Sequence, residues 1–357
     1  MNPRDLSSHT VYRAGRGIEE TARELGVDPD DLIKLSSNEN AIGPSPKAVE
    51  AIREHAERIH AYPKASHADL VERLADRWDV DPAQIWPANG GDGAMDALSR
   101  AMLDPGQAAL VPDPDFTYHS MSARYHHGEV HTYPLVADDG FHQSPDRVLD
   151  GYDGERIVYL TSPHNPTGSQ VSLDEIEAIA DRTDEETLVV VDEAYNEFAD
   201  RPSAVELVRQ RDDVAVIRTF SKAYGLAGLR LGYAITPTEW ADAYERINTP
   251  FSASELACRA GLAALDDEEH IQKIRDLVEW SREYYQDNLD ARTYESGGNF
   301  VLAEVGDATR VAQESKERGV IVRDCSSFGL PEHVRITCGT RAETKTAVET
   351  INEVLDS

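Results

Sequence analysis

The sequence predicts an α/β protein with a large domain built on a mostly parallel central sheet and a smaller α+β domain after it. Three observations carry this. Strand-like runs at 108–111, 156–161, 187–191 and 214–217 alternate with helix-like stretches, the pattern that builds a parallel sheet. Residues Thr187 to Val191 form an almost wholly β-branched run, the mark of a strand covered on both faces. From about residue 250 the style changes to Ala- and Leu-rich helices followed by short strands at 299–302, 320–323 and 333–337. A chain of 357 residues is long enough for two domains. We divide it into an arm at 1–35 that belongs with the small domain and reaches the substrate site, a large domain at 36–265 and a small domain at 266–357.

The arm holds a weakly helical piece at 17–25, and Asp28-Pro29 starts a short helical turn. The polar stretch Ser36-Ser-Asn-Glu-Asn40 before Gly43-Pro44 reads as a loop. Ser45 caps a helix whose first residue is Pro46. Val49, Ile52, Ala56 and Ile59 recur at helical spacing and carry that helix toward Tyr62-Pro63. A second amphipathic helix spans 68–78. A glycine-rich turn, Gly90-Gly-Asp-Gly93, precedes a helix at 94–103, and such a turn presents free backbone N–H groups to an anion. Phe116 to Tyr125 is a further predicted helix, and the adjacent His126 and His127 read as a solvated pair. Helices are expected at 174–181, 254–265, 268–289, 309–318 and 342–355.

Composition excludes several classes. No apolar run is long enough for a membrane span. The N-terminus lacks a signal-peptide core, so a cytoplasmic protein is expected. Cys258, Cys325 and Cys338 show no metal-binding spacing and read as reduced thiols, with no metal site. Acidic residues number 66 against 35 basic, a formal charge of −31, and they are spread along the chain. That argues against a nucleic-acid partner. It fits a halophilic source, where salt screens the self-repulsion.

The stretch from Arg218 to Tyr233 concentrates the chemistry. It holds Lys222, one of seven lysines, together with Thr219, Ser221 and Arg230. A lysine amine forms a Schiff base with an aldehyde. Two hydroxyls and a guanidinium beside it suit a phosphate. A lysine for an aldehyde and a nest for a phosphate together suit pyridoxal 5′-phosphate. Asp192 ends the β-branched strand, where a carboxylate needs a positive partner and where ligands bind in open α/β sheets.

Together these segments resemble the fold-type I pyridoxal-phosphate enzymes, and within them the histidinol-phosphate aminotransferases. The resemblance covers nearly the whole chain. Its motifs are Ser37-Asn-Glu-Asn40 with Gly43-Pro44, Tyr62-Pro63, the Gly90-Gly-Asp turn, Ser162-Pro-His-Asn-Pro-Thr-Gly168, Val191-Asp-Glu-Ala-Tyr195, Thr219-Phe-Ser-Lys222 with Gly225-Leu-Ala-Gly-Leu-Arg230, and Val334-Arg-Ile-Thr-Cys-Gly-Thr-Arg341. The resemblance implies that Lys222 bonds the cofactor, that Asp192 pairs with its pyridine nitrogen, and that Tyr195 and Asn165 flank its phenolic oxygen. It further implies that Phe116 stacks on the ring and that Gly91, Asp92, Thr219, Ser221 and Arg230 hold the phosphate. Tyr62 would reach that phosphate from a second subunit, which implies a homodimer. Tyr12, Asn40, Arg323 and Arg335 would bind substrate. Two departures stand out: Gly93 replaces a larger polar residue, and Thr117-Tyr118-His119 does not match the usual placing of the next tyrosine.

The implied reaction moves an amino group between histidinol phosphate and 2-oxoglutarate, in histidine biosynthesis. An aromatic or broad-specificity aminotransferase and a threonine-phosphate decarboxylase share the same fold and the same lysine, and both remain open at the level of motifs. A cofactor-free scaffold protein is disfavoured by the intact Lys222 and the complete phosphate nest.

Overall fold

The computed structural model describes residues 6, 7, 9, 11, 17–64 and 67–357. Tyr12, assigned to the substrate site from sequence, lies outside the described residues.

A seven-stranded sheet forms the centre. Its spatial order is Ile85–Ala88, Gly232–Ile235, Val214–Thr219, Leu188–Asp192, Ile157–Thr161, Ala108–Asp113, Glu129–Pro134. Gly232–Ile235 runs antiparallel to both neighbours, and the other four pairings of the sheet are parallel. The β-branched run behaves as its composition dictates: Leu188–Asp192 is buried along its whole length, with Val189, Val190 and Val191 fully covered. Burying a Val or Ile side chain stabilises by about 1.5–3 kcal/mol. The sheet's two faces therefore dominate the hydrophobic energy of this part of the chain, packed on clusters that include Leu160 and Val216 on one side and Tyr159 and Ile217 on the other.

A four-stranded antiparallel sheet follows in the order Arg323–Asp324, His333–Thr337, Phe300–Glu304, Arg292–Thr293. The long helix Glu268–Asn288 and the C-terminal helix Arg341–Leu355 cover it through Ile274, Val278, Ile351 and Val354. The stretch read from sequence as one strand at 320–323 is two. Val320–Ile321 pairs in parallel with Ile33–Lys34, and Arg323–Asp324 joins the four-stranded sheet.

Two helices differ from the sequence expectation. The helix begun at Pro46 ends at His55 and tightens into a 3-10 turn at Ala56–Arg58, because its apolar stripe loses its core and Ile59 is left exposed. The helix expected from 94 begins at Gly90, so that the glycines form its first turn. Two close approaches explain this. Gly90 has φ 78°, and a Cβ on Gly232 would lie 2.5 Å from the Gly90 carbonyl carbon. Only glycine at 232 lets that strand touch the turn. Glu129–Pro134, Pro145–Asp150 and Gly232–Ile235 were not anticipated as elements.

Candidate active site

The carboxyl ends of the parallel strands open onto a cavity of about 750 Å³. Lys222 lines it, in the loop after Val214–Thr219, and Asp192 lines it from the end of the neighbouring strand. Gly91, Asp92, Phe116, Asn165, Tyr195, Thr219, Ser221, Arg230, Arg323 and Arg335 line it as well. The fold thus gathers twelve of the fifteen residues singled out from sequence, drawn from both sheets.

One end of the cavity is built for an anion. The helix Gly90–Met102 starts there, and its N-cap residue Asn89 makes no side-chain cap to the first-turn N–H groups. Thr219 Oγ1 donates to Ser221 Oγ at 3.0 Å, and Arg230 Nη1 donates to the same oxygen at 3.5 Å. Arg230 Nη2 donates to Asp92 Oδ2 at 2.7 Å. Burial raises the Asp92 carboxyl above its ordinary range, against the pull of Arg230. Arg230 adopts a left-handed backbone, φ 54° and ψ 56°, which turns its guanidinium back over the helix start.

The other end holds the charge pair that sequence reading missed. His119 Nε2 lies 3.2 Å from Asp192 Oδ2, and its Nδ1 lies 2.8 Å from Asp115 Oδ2. His119 and Asp192 are both buried. Burial alone would lower the imidazole's pKa, but the Asp115 charge and hydrogen bonds to both carboxylates outweigh it and lift it to about 10. His119 is therefore an imidazolium at neutral pH, and it supplies Asp192 with the positive partner that its burial demands. Asp115 and His119 sit four residues apart, a spacing that was visible in the sequence.

Between these ends, Lys222 Nζ stands 5.5 Å from the centroid of the Tyr195 ring. Tyr195 is buried, and its hydroxyl accepts from Asn38 Nδ2 at 3.0 Å. Arg335 Nη1 donates to Asn165 Oδ1 at 2.5 Å, and its Nη2 donates to the Ser36 carbonyl at 2.8 Å. Arg323 Nη2 donates to Ser327 Oγ at 3.1 Å.

Two of the expected residues lie apart from the lining. Asn40 Nδ2 donates to the Ala223 carbonyl at 2.8 Å and to that of Lys222 at 3.4 Å, so it braces the backbone of the lysine loop. Tyr62 is 83% exposed and stacks on Phe251, with ring centroids 4.8 Å apart. Among the described residues no group of three or more His, Cys, Asp or Glu is placed to hold a metal ion. His126 faces Asp96 at 3.7 Å and His127 is exposed. Burial pushes the thiols of Cys258 and Cys338 up to about 12, and that of Cys325 up to about 11.

The donor set fits pyridoxal phosphate. An uncapped helix start with two hydroxyls and a guanidinium suits its phosphate, a buried carboxylate backed by an imidazolium suits a protonated ring nitrogen, and an amine lies between them.

Comparison with known proteins agrees with this chemistry. The profile of the family "Aminotransferase class I and II" matches residues 30–351. A histidinol-phosphate aminotransferase of Haloarcula marismortui is 68% identical over 356 residues, covering 100% of this chain and 99% of that protein. One of Natronomonas pharaonis is 68% identical over 355 residues, covering 99% and 100%. Both organisms are halophilic archaea. The crystal structure of histidinol-phosphate aminotransferase from Sinorhizobium meliloti in complex with pyridoxal-5′-phosphate superposes with a TM-score of 0.88 at 27% identity, over 96% of this chain and 95% of that one.

Proposed function

Because the chain belongs to the class I and II aminotransferases, a family of fold-type I pyridoxal-phosphate enzymes, we propose that it transfers the amino group of L-histidinol phosphate to 2-oxoglutarate, giving imidazole acetol phosphate and glutamate. The observation that carries this is the 68% identity, end to end, with relatives of that name. The cavity supports it by setting two arginines, Arg323 and Arg335, in the same space as Lys222. A guanidinium fork takes a phosphate ester or a carboxylate alike, so one pocket serves both substrates.

Pyridoxal phosphate, when bound, supplies an aldehyde for the substrate's amine and a ring that accepts the electrons left at the substrate carbon. Lys222 would hold the cofactor's aldehyde at rest and, once displaced by the substrate amine, would act as the base that moves the proton from the substrate carbon to the cofactor carbon. Asp192 would pair with the ring nitrogen, and His119, 3.2 Å away, holds that carboxylate in place. Tyr195 and Asn165 would hold the ring's oxygen, and Phe116 would stack on the ring. Thr219, Ser221, Arg230 and the N–H groups of Gly91 and Asp92 would hold the phosphate. Arg335, buried and braced by Asn165 and Ser36, fixes the substrate's anion, with Arg323 as its second cation. Tyr12 would contribute to substrate binding, as the family resemblance implies, and Asn40 supports the site through the lysine loop.

The protein acts as a homodimer in the cytoplasm, with Tyr62 reaching the phosphate of the other subunit. The exposure of Tyr62 and its stacking on the exposed Phe251 support an interface there, and Ile59, three residues before Tyr62, is exposed too. Among the described residues no helix is long and apolar enough to cross a membrane.

The test is one half-reaction in molar salt without 2-oxoglutarate. Loss of the bound cofactor's absorbance band on mixing with histidinol phosphate, and not with phenylalanine or threonine phosphate, is the expected result. Equal conversion by phenylalanine would make this a broad aminotransferase, and carbon dioxide from threonine phosphate would make it a decarboxylase. Subunit mixing tests the dimer: Lys222→Ala and Tyr62→Ala proteins, each impaired alone, should together restore one intact site per mixed dimer. No recovery would place Tyr62 outside the partner's site.

A further inference from the structure

Three carboxylates line the cavity among the described residues: Asp92, Asp192 and Glu39. Asp92 is held by Arg230 at 2.7 Å and Asp192 by His119 at 3.2 Å. Glu39 is bound instead to Lys34, whose Nζ donates to its two carboxylate oxygens at 3.2 and 3.0 Å. Lys34 also lines the cavity. The two side chains are 19% and 55% exposed, whereas Arg335 is buried at the cavity's inner wall. The pair therefore stands toward the opening, and the reading above uses neither residue.

The backbone that presents Glu39 is pinned on both sides. Asn38 N donates to Thr337 Oγ1 at 3.0 Å, Asn299 Nδ2 donates to the carbonyls of Asn38 and Glu39 at 3.1 and 3.3 Å, and Asn40 is tied to the lysine loop. Neutralising a surface acid does not need a clamp of this kind. A side chain that must meet a ligand in a fixed place does.

We propose that the Lys34–Glu39 ion pair reads the distal groups of the two substrates, Glu39 accepting from the imidazole N–H of histidinol phosphate and Lys34 donating to the distal carboxylate of 2-oxoglutarate. This rests on the function proposed above. Both substrates place an anion against Arg335 and a reacting carbon at Lys222, so what remains of each extends toward the opening. One remainder needs an acceptor and the other a cation. An ion pair holds both in one place, and each partner stays satisfied by the other when it is not engaged. The device also disfavours amines with a wholly apolar side chain, which would cover the pair without answering either charge.

The test uses full-length holoenzyme in molar salt, comparing Glu39→Gln and Lys34→Gln with wild type. The kcat/KM of each half-reaction is measured separately, and binding of glutarate, which cannot react, is measured by calorimetry. Glu39→Gln should lower the ratio of histidinol phosphate to 2-oxoglutarate kcat/KM by about 10- to 100-fold, the size of one charge-assisted hydrogen bond. Lys34→Gln should raise the same ratio and weaken glutarate. Parallel loss of both half-reactions in both variants, or an unmoved ratio, would overturn the proposal. A wild-type enzyme that leaves histidinol phosphate unconverted overturns the functional reading itself, and is seen before either variant is compared.

Discussion

Arg323 and Arg335 stand directly opposite each other, register partners on adjacent antiparallel strands, with both side chains on the cavity. Like charges in that arrangement repel. The fold meets part of the cost with local contacts: Arg335 lies 5.4 Å from the centroid of Phe300, and Arg323 lies 5.4 Å from that of Phe328. An anion between them relieves the rest.

Inorganic phosphate should therefore stabilise the holoenzyme, by about 2.7 kcal/mol at a hundred times its dissociation constant. Arg323→Gln and Arg335→Gln should each shrink the phosphate-dependent rise in Tm. Scanning calorimetry of the three proteins decides the matter: equal rises in all three would show that phosphate binds elsewhere.

Lys222→Ala should keep the fold, since the loop is held by its backbone, with Gly225 N donating to the Lys222 carbonyl at 3.0 Å. Turnover should fall by at least the factor of about 10²–10⁴ that a positioned base contributes. Circular dichroism and single-turnover kinetics check both halves. Substantial residual transamination would remove Lys222 from its role.

The raised His119 pKa gives a stability effect with a definite sign. The folded value of about 10 lies above the ordinary histidine value of 6.5. The imidazolium's contribution is fully present below about pH 6.5, declines as the pH rises, and is lost once the pH passes about 10. Thermal unfolding of wild type and His119→Gln should differ most at pH 6 and converge in alkali. A gap that widens with pH would contradict the charged state.

Arg218 is a buried guanidinium paired with Glu193 at 2.6 Å and with Glu197. Its side chain also lies 4.6 Å from the centroid of a Trp78 ring. Arg218→Met leaves two buried carboxylates without their cation and should cost about 3–5 kcal/mol in denaturant unfolding. Adding Glu193→Gln and Glu197→Gln should recover part of the loss. No recovery would mean that the guanidinium acts by packing alone.

A formal charge of −31 makes the folded state salt-dependent. Stability should rise from low-salt buffer to molar potassium chloride as screening shortens the reach of the repulsion. Full stability in low salt would refute this.

What could be read from the chain follows physical lines. The buried parallel strands were legible because a strand covered on both faces needs an uninterrupted apolar run, as in Leu188–Asp192, whereas the antiparallel Gly232–Ile235, equally buried, was not. Glu129–Pro134 was not, because it is an edge strand whose residues are mostly partly or fully exposed. The early start of the helix at Gly90 was hidden because propensity argues against glycine there, while the close approach of Gly232 decides for it. The cofactor's expected contacts were legible as motifs, whereas His119 was passed over. Its spacing from Asp115 marked it, but its meeting with Asp192 exists only through the sheet. The role of Asn38, which joins Tyr195 to Thr337, was likewise hidden although the residue lies in a quoted motif, since its partners lie 157 and 299 residues away.

The loop at 220–231 is closed as a ring. Thr219 and Gly232 are register partners at its mouth, and Phe220 N donates to the Leu231 carbonyl at 3.0 Å. Lys222 and Arg230 both belong to that ring, so the span between amine and guanidinium is a property of the ring and not of the surrounding sheet. An insertion elsewhere in the chain leaves this span alone. One extra residue between Lys222 and Arg230 alters it directly, so an insertion in this short interval changes the distance between amine and guanidinium.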